Sequence, residues 1–167
     1  LGANGQLGQE VLKLVPNSIL GKEVKLIPVT KNKLDLEDAI RCKKFIKEEE
    51  PDWLINCAAY TKVDEAEINK NKANKINAVG PEIISRELSK TDGRLIHIST
   101  DFIFSGKQSF PYKTNQKSDP INEYGKSKAK GEVAVLKNLD QNNGFVIRTS
   151  WLISPVGQNF CLLYTSD

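Results

Sequence analysis

Hydrophobic positions along the chain fall into short apolar runs, separated by longer stretches in which they recur three or four residues apart. The runs "VKLIPV" (24–29), "WLINCAA" (53–59), "RLIHIS" (94–99) and "GFVIRTS" (144–150) read as strands. Between them, "QEVLKLV" (9–15) and "INEYGKSKAKGEVAVLKNL" (121–139) read as helices. So does "LEDAIRCKKFIKEEE" (36–50), whose apolar positions 36, 39, 40, 45 and 46 keep roughly helical spacing. The stretch 63–90 reads as helical with an interruption near Gly80 and Pro81. The charged run "KEEEPDW" reads as the solvated end of a helix stopped by Pro51. Strands alternating with helices predict βαβ units. The expected fold is α/β, a doubly wound, mainly parallel sheet with helices on both faces.

The first ten residues, "LGANGQLGQE", change the picture. Gly2, Gly5 and Gly8 form a glycine-rich turn of the kind that joins a strand to a helix, yet no strand precedes it. The expectation is that the first, central strand of the sheet is missing and that the chain is a gene fragment. At the other end, "CLLYTSD" (161–167) resembles the translation of a sequencing-adapter end and reads as a non-native tail. Without the central strand, "VKLIPV" and "WLINCAA" are expected to keep each other, and the join to "RLIHIS" to be left open. Unpaired buried backbone groups cost about 1–3 kcal/mol each, so an inactive and poorly stable chain is expected.

Composition narrows the class. The 167 residues are 39% hydrophobic and 27% charged, and the net charge of +3 comes from 24 basic and 21 acidic side chains that are well mixed. No block of like charge suggests a nucleic-acid arm or a membrane patch. No apolar stretch is long enough to span a bilayer, and the amino terminus lacks the pattern of a signal peptide. The three cysteines form no CxxC pair, and Cys57, inside an apolar run, reads as a buried reduced thiol. A cytoplasmic setting is expected.

Candidate chemistry sits at three places. Backbone N–H groups at the start of the helix after Gly2, Asn4, Gly5, Gln6, Leu7 and Gly8 would face a pyrophosphate. The spacing is GxxGxxG, the form seen in short-chain dehydrogenases. After the second strand, "VTKNK" holds no carboxylate before Asp35, so Lys31 or Lys33 would meet a 2′-phosphate, favouring NADPH over NADH. The alternative is that these lysines are a solvated turn. Tyr124 and Lys128 in "YGKSK" lie one turn apart on one helix face, where an ammonium would lower the phenol's pKa from about 10. Ser99 and Thr100 end a strand, where a hydroxyl can hold a substrate carbonyl oxygen or can merely terminate the strand. His97, the single histidine, lies within the strand pattern and reads as structural.

The segments "GANGQLG", "LDLED", "NCAAYTKVDEAE", "INAVGP", "ISTDFIFSG", "NEYGKSKAKGE" and "IRTSW" together resemble the RmlD-like family of extended short-chain dehydrogenase/reductases. The resemblance runs from residue 2 to about 160. It implies an NAD(P)-binding Rossmann domain over 1–150, with 151–160 starting a substrate-binding region. It implies NADPH-dependent reduction of the C4 keto group of dTDP-4-dehydro-L-rhamnose. Thr100 would polarise the carbonyl, Tyr124 would donate the proton, and Lys128 would tune Tyr124 and hold the ribose. Gly5, Gln6 and Leu7 would touch the diphosphate. Asp35 and Leu36 would lie by the adenine, and Ala58, Ala59, Tyr60 and Thr61 would line the cofactor groove. Thr100, Asp101 and Trp151 would face the sugar nucleotide. A magnesium ion and a homodimer formed through later parts of the chain are implied for the family, and no metal ligand is assigned here. Some relatives have an Asp near Thr30, which this chain lacks. Two alternatives stay open: another sugar-nucleotide reductase or epimerase of the superfamily, or a non-catalytic NADP(H)-binding regulatory subunit like the β subunit of methionine adenosyltransferase. The joint presence of Thr100, Tyr124 and Lys128 favours an enzyme.

Overall fold

A computed structural model describes residues 1–157 and 159. The reading of Cys161–Asp167 as a foreign tail falls outside them. In chain order the elements are α1 (Gln6–Leu14), β1 (Ser18–Ile19), β2 (Lys22–Glu23), α2 (Ala39–Glu49), β3 (Trp53–Asn56), α3 (Val63–Ile68), α4 (Lys70–Asn74), a π-helical turn (Lys75–Val79), α5 (Gly80–Leu88), β4 (Arg94–Thr100), a 3₁₀ turn (Asp101–Ile103), α6 (Glu123–Asn138) and β5 (Gly144–Thr149). Among the described residues, β3, β4 and β5 form a parallel sheet in that order, and β1 and β2 pair as an antiparallel hairpin. The fold is the expected α/β type.

The sheet follows from alternation along β4. Leu95, His97 and Ser99 are buried on one face. That face is covered by helices: α2 packs on α5, α5 on α6, and α6 on β4 and β5. Leu88, Leu95 and Val135 are fully buried there, and each such side chain contributes about 1.5–3 kcal/mol relative to exposure. The alternate side chains, Ile96 and Ile98 with their register partners Phe145 and Ile147, turn to the opposite face and keep part of their surface in solvent.

Three expectations are corrected or extended. First, residues 24–29 join no strand ladder, and β3 pairs with β4 rather than with them. The reason is that residues 1–3 lie between the two segments: Leu1 donates from its amino terminus to Ile55 O (2.6 Å), Cys57 N donates to Leu1 O (3.1 Å), and Ala3 N donates to Val29 O (3.1 Å). The join to "RLIHIS", expected to be open, is closed by the register Trp53↔Arg94 to Asn56↔His97. Second, besides the interruption expected near Gly80 and Pro81, where the π-helical turn Lys75–Val79 gives way to α5, the helical stretch breaks at Asn69, between α3 and α4. The chain runs through Gly80 because Pro81 sits in the first turn of α5, where its missing N–H does least harm. Third, Cys57 is half-buried rather than buried.

Helix ends follow local chemistry. Asp38 caps α2 by accepting from Arg41 N (3.0 Å), and α2 stops in "KEEEP" with Glu50 in a left-handed conformation, as the charge run implied. Asn122 caps α6 by accepting from Gly125 N (2.7 Å). No helix among the described residues is long and apolar enough to cross a membrane.

Candidate active site

The glycine turn is tight for a steric reason. Gly2 has φ +78°, and a Cβ there would meet Ala58 N at 2.7 Å. A Cβ on Gly8 would overlap the Gly2 carbonyl oxygen. Gly5 caps α1 without a side chain, and the first helical bond along the turn is Gln9 N to Gly5 O (3.0 Å). The N–H groups of Gln6, Leu7 and Gly8 therefore precede the helix's own bonding and face outward as a ready anion cradle. Two further contacts close over this turn: Gln6 Nε2 donates to Leu152 O (2.8 Å), and Gln9 Nε2 donates to Asn4 O (2.9 Å).

Beside the turn lies the segment after residue 29. Lys31 is exposed and pairs with Asp35 (3.4 Å) and Glu37 (3.9 Å). Lys33 places its Nζ 5.6 Å from the Phe45 ring centre. Leu36 is buried, and Asp35 turns an oxygen to Glu37 N (3.0 Å).

The segment 58–61 continues β3 along the groove. Ala58 N donates to Asn56 Oδ1 (3.1 Å). Tyr60 is gripped by Asn77: Tyr60 N donates to Asn77 Oδ1 (2.8 Å), and Asn77 Nδ2 donates to Tyr60 O (2.9 Å) and Ser127 Oγ (3.0 Å). Ser127 Oγ in turn donates to Tyr124 O (2.7 Å). Asn77, in the π-helical turn, thus joins the groove wall to α6. It was missed in the sequence, although a buried Asn between Ile76 and Ala78 on an apolar face was a legible signal.

At the carboxyl end of β4, Thr100 Oγ1 donates to Asp101 Oδ1 (3.1 Å) and accepts from Phe102 N (3.2 Å). The Tyr124 phenol lies close enough to Thr100 for the threonine hydroxyl to influence its ionisation. Phe102 packs edge-on against the Tyr124 ring, with centroids 5.6 Å apart at 72°. Ser150 Oγ donates to the other Asp101 oxygen (2.8 Å). Two glycines of α6 permit this approach: a Cβ on Gly125 would overlap the Phe102 carbonyl oxygen, and one on Gly131 the Asn77 carbonyl oxygen.

Lys128 is 2% exposed and donates to Ile98 O (2.6 Å). Burial pulls its ammonium down to about 8, opposed by the Glu132 carboxylate. The expectation that Lys128 lowers the Tyr124 pKa is not met. Burial raises the phenol above its ordinary value, the nearby Thr100 hydroxyl acts the other way, and the Asp101 carboxylate adds to the rise. Lys128 spends its bond on the β4 backbone instead. His97 is fully buried, accepts from Asn56 Nδ2 at Nδ1 (3.2 Å), and is driven down to about 3 by burial, then by the Lys128 charge. It is neutral and structural, as expected. Trp151, on the far side of β5, is 73% exposed with φ 50°.

The sequence model of the family described as "RmlD substrate binding domain" matches residues 1–165. The chain belongs to this family. A dTDP-4-keto-6-deoxy-D-glucose reductase from Streptomyces niveus is 33% identical over 159 residues, covering 95% of this chain and 54% of that protein. A dTDP-4-dehydrorhamnose reductase from Mycolicibacterium smegmatis is 34% identical, covering 90% of this chain and 44% of the relative. Among solved structures, dTDP-4-dehydrorhamnose reductase from Bacillus anthracis in complex with NADP superposes with a TM-score of 0.88 at 36% identity, over 97% of this chain and 56% of that one. The chain spans about half the length of the relatives it matches. Within the RmlD family frame, the structure brings Thr100, Asp101, Tyr124 and Lys128 to one end of β4 and α6. It sets Gly2, Gly5, Gln6, Leu7 and Gly8 beside Ala58 at the adjacent end of β3.

Proposed function

We propose that this chain carries the cofactor-binding and proton-donating part of an NADPH-dependent reductase that converts the C4 ketone of dTDP-4-dehydro-L-rhamnose to the alcohol. Residues 1–150 form the nucleotide-binding domain, and 151–160 open the substrate-binding region. The observation that carries this reading is the placement of Thr100 and Tyr124 together at the carboxyl end of β4, with Phe102 packed edge-on against the Tyr124 ring and a buried lysine one helical turn away. Strand ends of this kind are where open α/β sheets bind ligands. The residues fit the cofactor on steric grounds, since the turn from Gly2 to Gly8 excludes any Cβ at its two ends and leaves helix-start N–H groups for a diphosphate.

NADPH, when bound, supplies the hydride. Gly5, Gln6 and Leu7 would hold the diphosphate, and Asn4, Gly2 and Gly8 would shape the turn around it. Lys31, Asp35 and Leu36 would lie at the adenosine end, and Ala58, Ala59, Tyr60 and Thr61 would line the middle. Tyr124 is protonated at neutral pH, as an ordinary phenol is, and burial moves its pKa further up; its O–H would be the proton donor toward a ketone oxygen. Thr100 orients that oxygen from the other side. Lys128, held to the Ile98 carbonyl, supplies a positive charge near the site and a donor for a ribose hydroxyl. Asp101, with both oxygens occupied by Thr100 and Ser150, orients Thr100 and the β5 end beneath the sugar. Trp151 presents an exposed ring for the sugar nucleotide.

The name of the Streptomyces niveus relative favours a second reading of the substrate alone, a dTDP-4-keto-6-deoxy-D-glucose. The test is the protein at full family length, assayed with both keto sugars and NADPH. Preferential turnover of the rhamnose precursor is expected. Turnover of neither sugar contradicts the proposal.

A further inference from the structure

Two charged residues of the matching segments, Glu132 in "KSKAKGE" and Arg148 in "IRTSW", have no part in the site so far. Glu132 is 3% exposed on α6, one turn after Lys128. Arg148, on β5 opposite Ser99, meets it side-on through one edge of the guanidinium: Nε to Oε1 (3.1 Å) and Nη2 to Oε2 (2.8 Å). The same guanidinium donates from Nη1 to Thr114 O (2.9 Å) and lies 5.2 Å from the centre of the Phe104 ring. Phe104 stacks on Tyr112 with centroids 4.1 Å apart, and Tyr112 OH accepts from Gln108 N (3.4 Å).

These contacts all fall on residues 104–122, which hold no helix or strand. That segment is the covalent link from Thr100 and Asp101 to the α6 start that carries Tyr124. Its ends are fixed: Asp119 N donates to Ile103 O (2.8 Å), and Asn122 caps α6. Its middle is fastened to the sheet by Arg148. Long irregular connections inside compact domains are generally functional or disordered; this one is cross-linked within itself by Gln108 and Gln116 and is fastened to β5 through the Arg148 guanidinium.

We propose that Glu132 and Arg148 form a clasp that holds the 104–122 connection in place and thereby sets Thr100 against Tyr124. Both are positioning residues. The assignment of Thr100 and Tyr124 as the reacting pair rests on the function proposed above, whereas the clasp itself rests on the geometry. Glu132 takes the Nε–Nη2 edge and leaves Nη1 for Thr114. Losing Glu132 frees Arg148 to swing to solvent, and the loop then loses its central attachment. Losing Arg148 leaves a buried carboxylate unpaired, the costlier direction for an ion pair of this kind.

The experiment uses the purified protein at full family length, as wild type, Glu132→Gln and Arg148→Lys, each labelled with 3-fluorotyrosine. Fluorine resonances are assigned by Tyr124→Phe and Tyr112→Phe. Trypsin cleavage at Lys107, Lys113 and Lys117 of the loop is compared with cleavage at Lys43 and Lys44 of α2. Glu132→Gln should speed the loop cuts by about tenfold or more relative to the α2 cuts, and should shift the Tyr112 and Tyr124 resonances while the Tyr60 resonance stays. Arg148→Lys keeps the charge and loses the fork, so it should act in the same direction and more weakly. It decides the matter if Glu132→Gln fails to fold. Equal acceleration at loop and helix, or faster loop cuts with an unmoved Tyr124 resonance, overturns the positioning role. Wild-type NADPH binding, followed by cofactor fluorescence on the same samples, reports on the functional reading separately.

Discussion

On one side of the groove Lys128 and Tyr124 are 2% and 9% exposed; Lys128 is bonded to the β4 backbone and Tyr124 is packed against Phe102. On the other side Lys31 keeps 64% of its side chain in solvent and meets its carboxylates only at 3.4 and 3.9 Å. The segment leading to it joins no ladder and touches the rest of the groove through Ala3 N and Val29 O. The wall carrying the proposed chemistry is a packed, cross-bonded unit of β4, the π-helical turn and α6. The wall proposed for the adenosine end is a turn held by sterics and surface ion pairs. Reacting groups must be held to a fraction of an ångström, while a 2′-phosphate needs only charge in reach. Perturbing the first wall should therefore cost much more than perturbing the second.

The largest effect should come from His97. Its folded pKa of about 3 lies below the ordinary 6.5, so between these values the unfolded chain binds the extra proton. Stability contributed by neutral His97 is full above pH 6.5 and is lost as pH falls toward 3, at about 1.4 kcal/mol per pH unit, which sums to several kcal/mol. Urea midpoints of wild type and His97→Gln should converge as pH is lowered from 7 to 4. Parallel curves would show that the buried imidazole carries no such linkage.

Next in size is Lys128→Met at full family length. Turnover should fall by about 100-fold, with a weaker KM effect, because the charge and the donor both leave the reacting wall. A loss under about threefold would move the chemistry elsewhere. Gly8→Ala should then cost about 2 kcal/mol of stability through overlap with the Gly2 carbonyl, measured by chemical denaturation of this chain. An unchanged midpoint would mean the turn is looser than its geometry implies. The smallest effect is expected on the exposed wall. Lys31→Asp with Lys33→Ala should shift the NADPH-to-NADH preference by about tenfold or less, since exposed ion pairs are worth only about 0–1 kcal/mol each.

The same contrast explains what could be read from the chain. Strands β3, β4 and β5 and helix α6 were legible because each buries a face, so the hydrophobic period survives in "WLIN", "RLIHIS", "GFVIRT" and the α6 sequence. "VKLIPV" carried the same period, yet only residues 1–3 lie beside it, and a strand needs a partner as much as a pattern. The break at Asn69 had no Gly or Pro to mark it, whereas Gly80 and Pro81 marked a helix start rather than an end. At the site, the nearness of Tyr124 and Lys128 on one helix face was legible from their spacing, and Thr100 from its place at a strand end. The direction of the Tyr124 shift was not, because it depends on where the Lys128 ammonium points, and that is set by the Ile98 carbonyl. Glu132 and Arg148 were hidden for a related reason. Their partners lie on other elements, and nothing in a local pattern names a partner dozens of residues away.

The proton-donating role of Tyr124 is the claim on which the functional account turns. The direct test is Tyr124→Phe at full family length, with turnover of dTDP-4-dehydro-L-rhamnose and NADPH affinity measured on the same preparation. The account predicts turnover lower by about 100-fold or more with NADPH affinity nearly unchanged. Turnover within about threefold of wild type would contradict it.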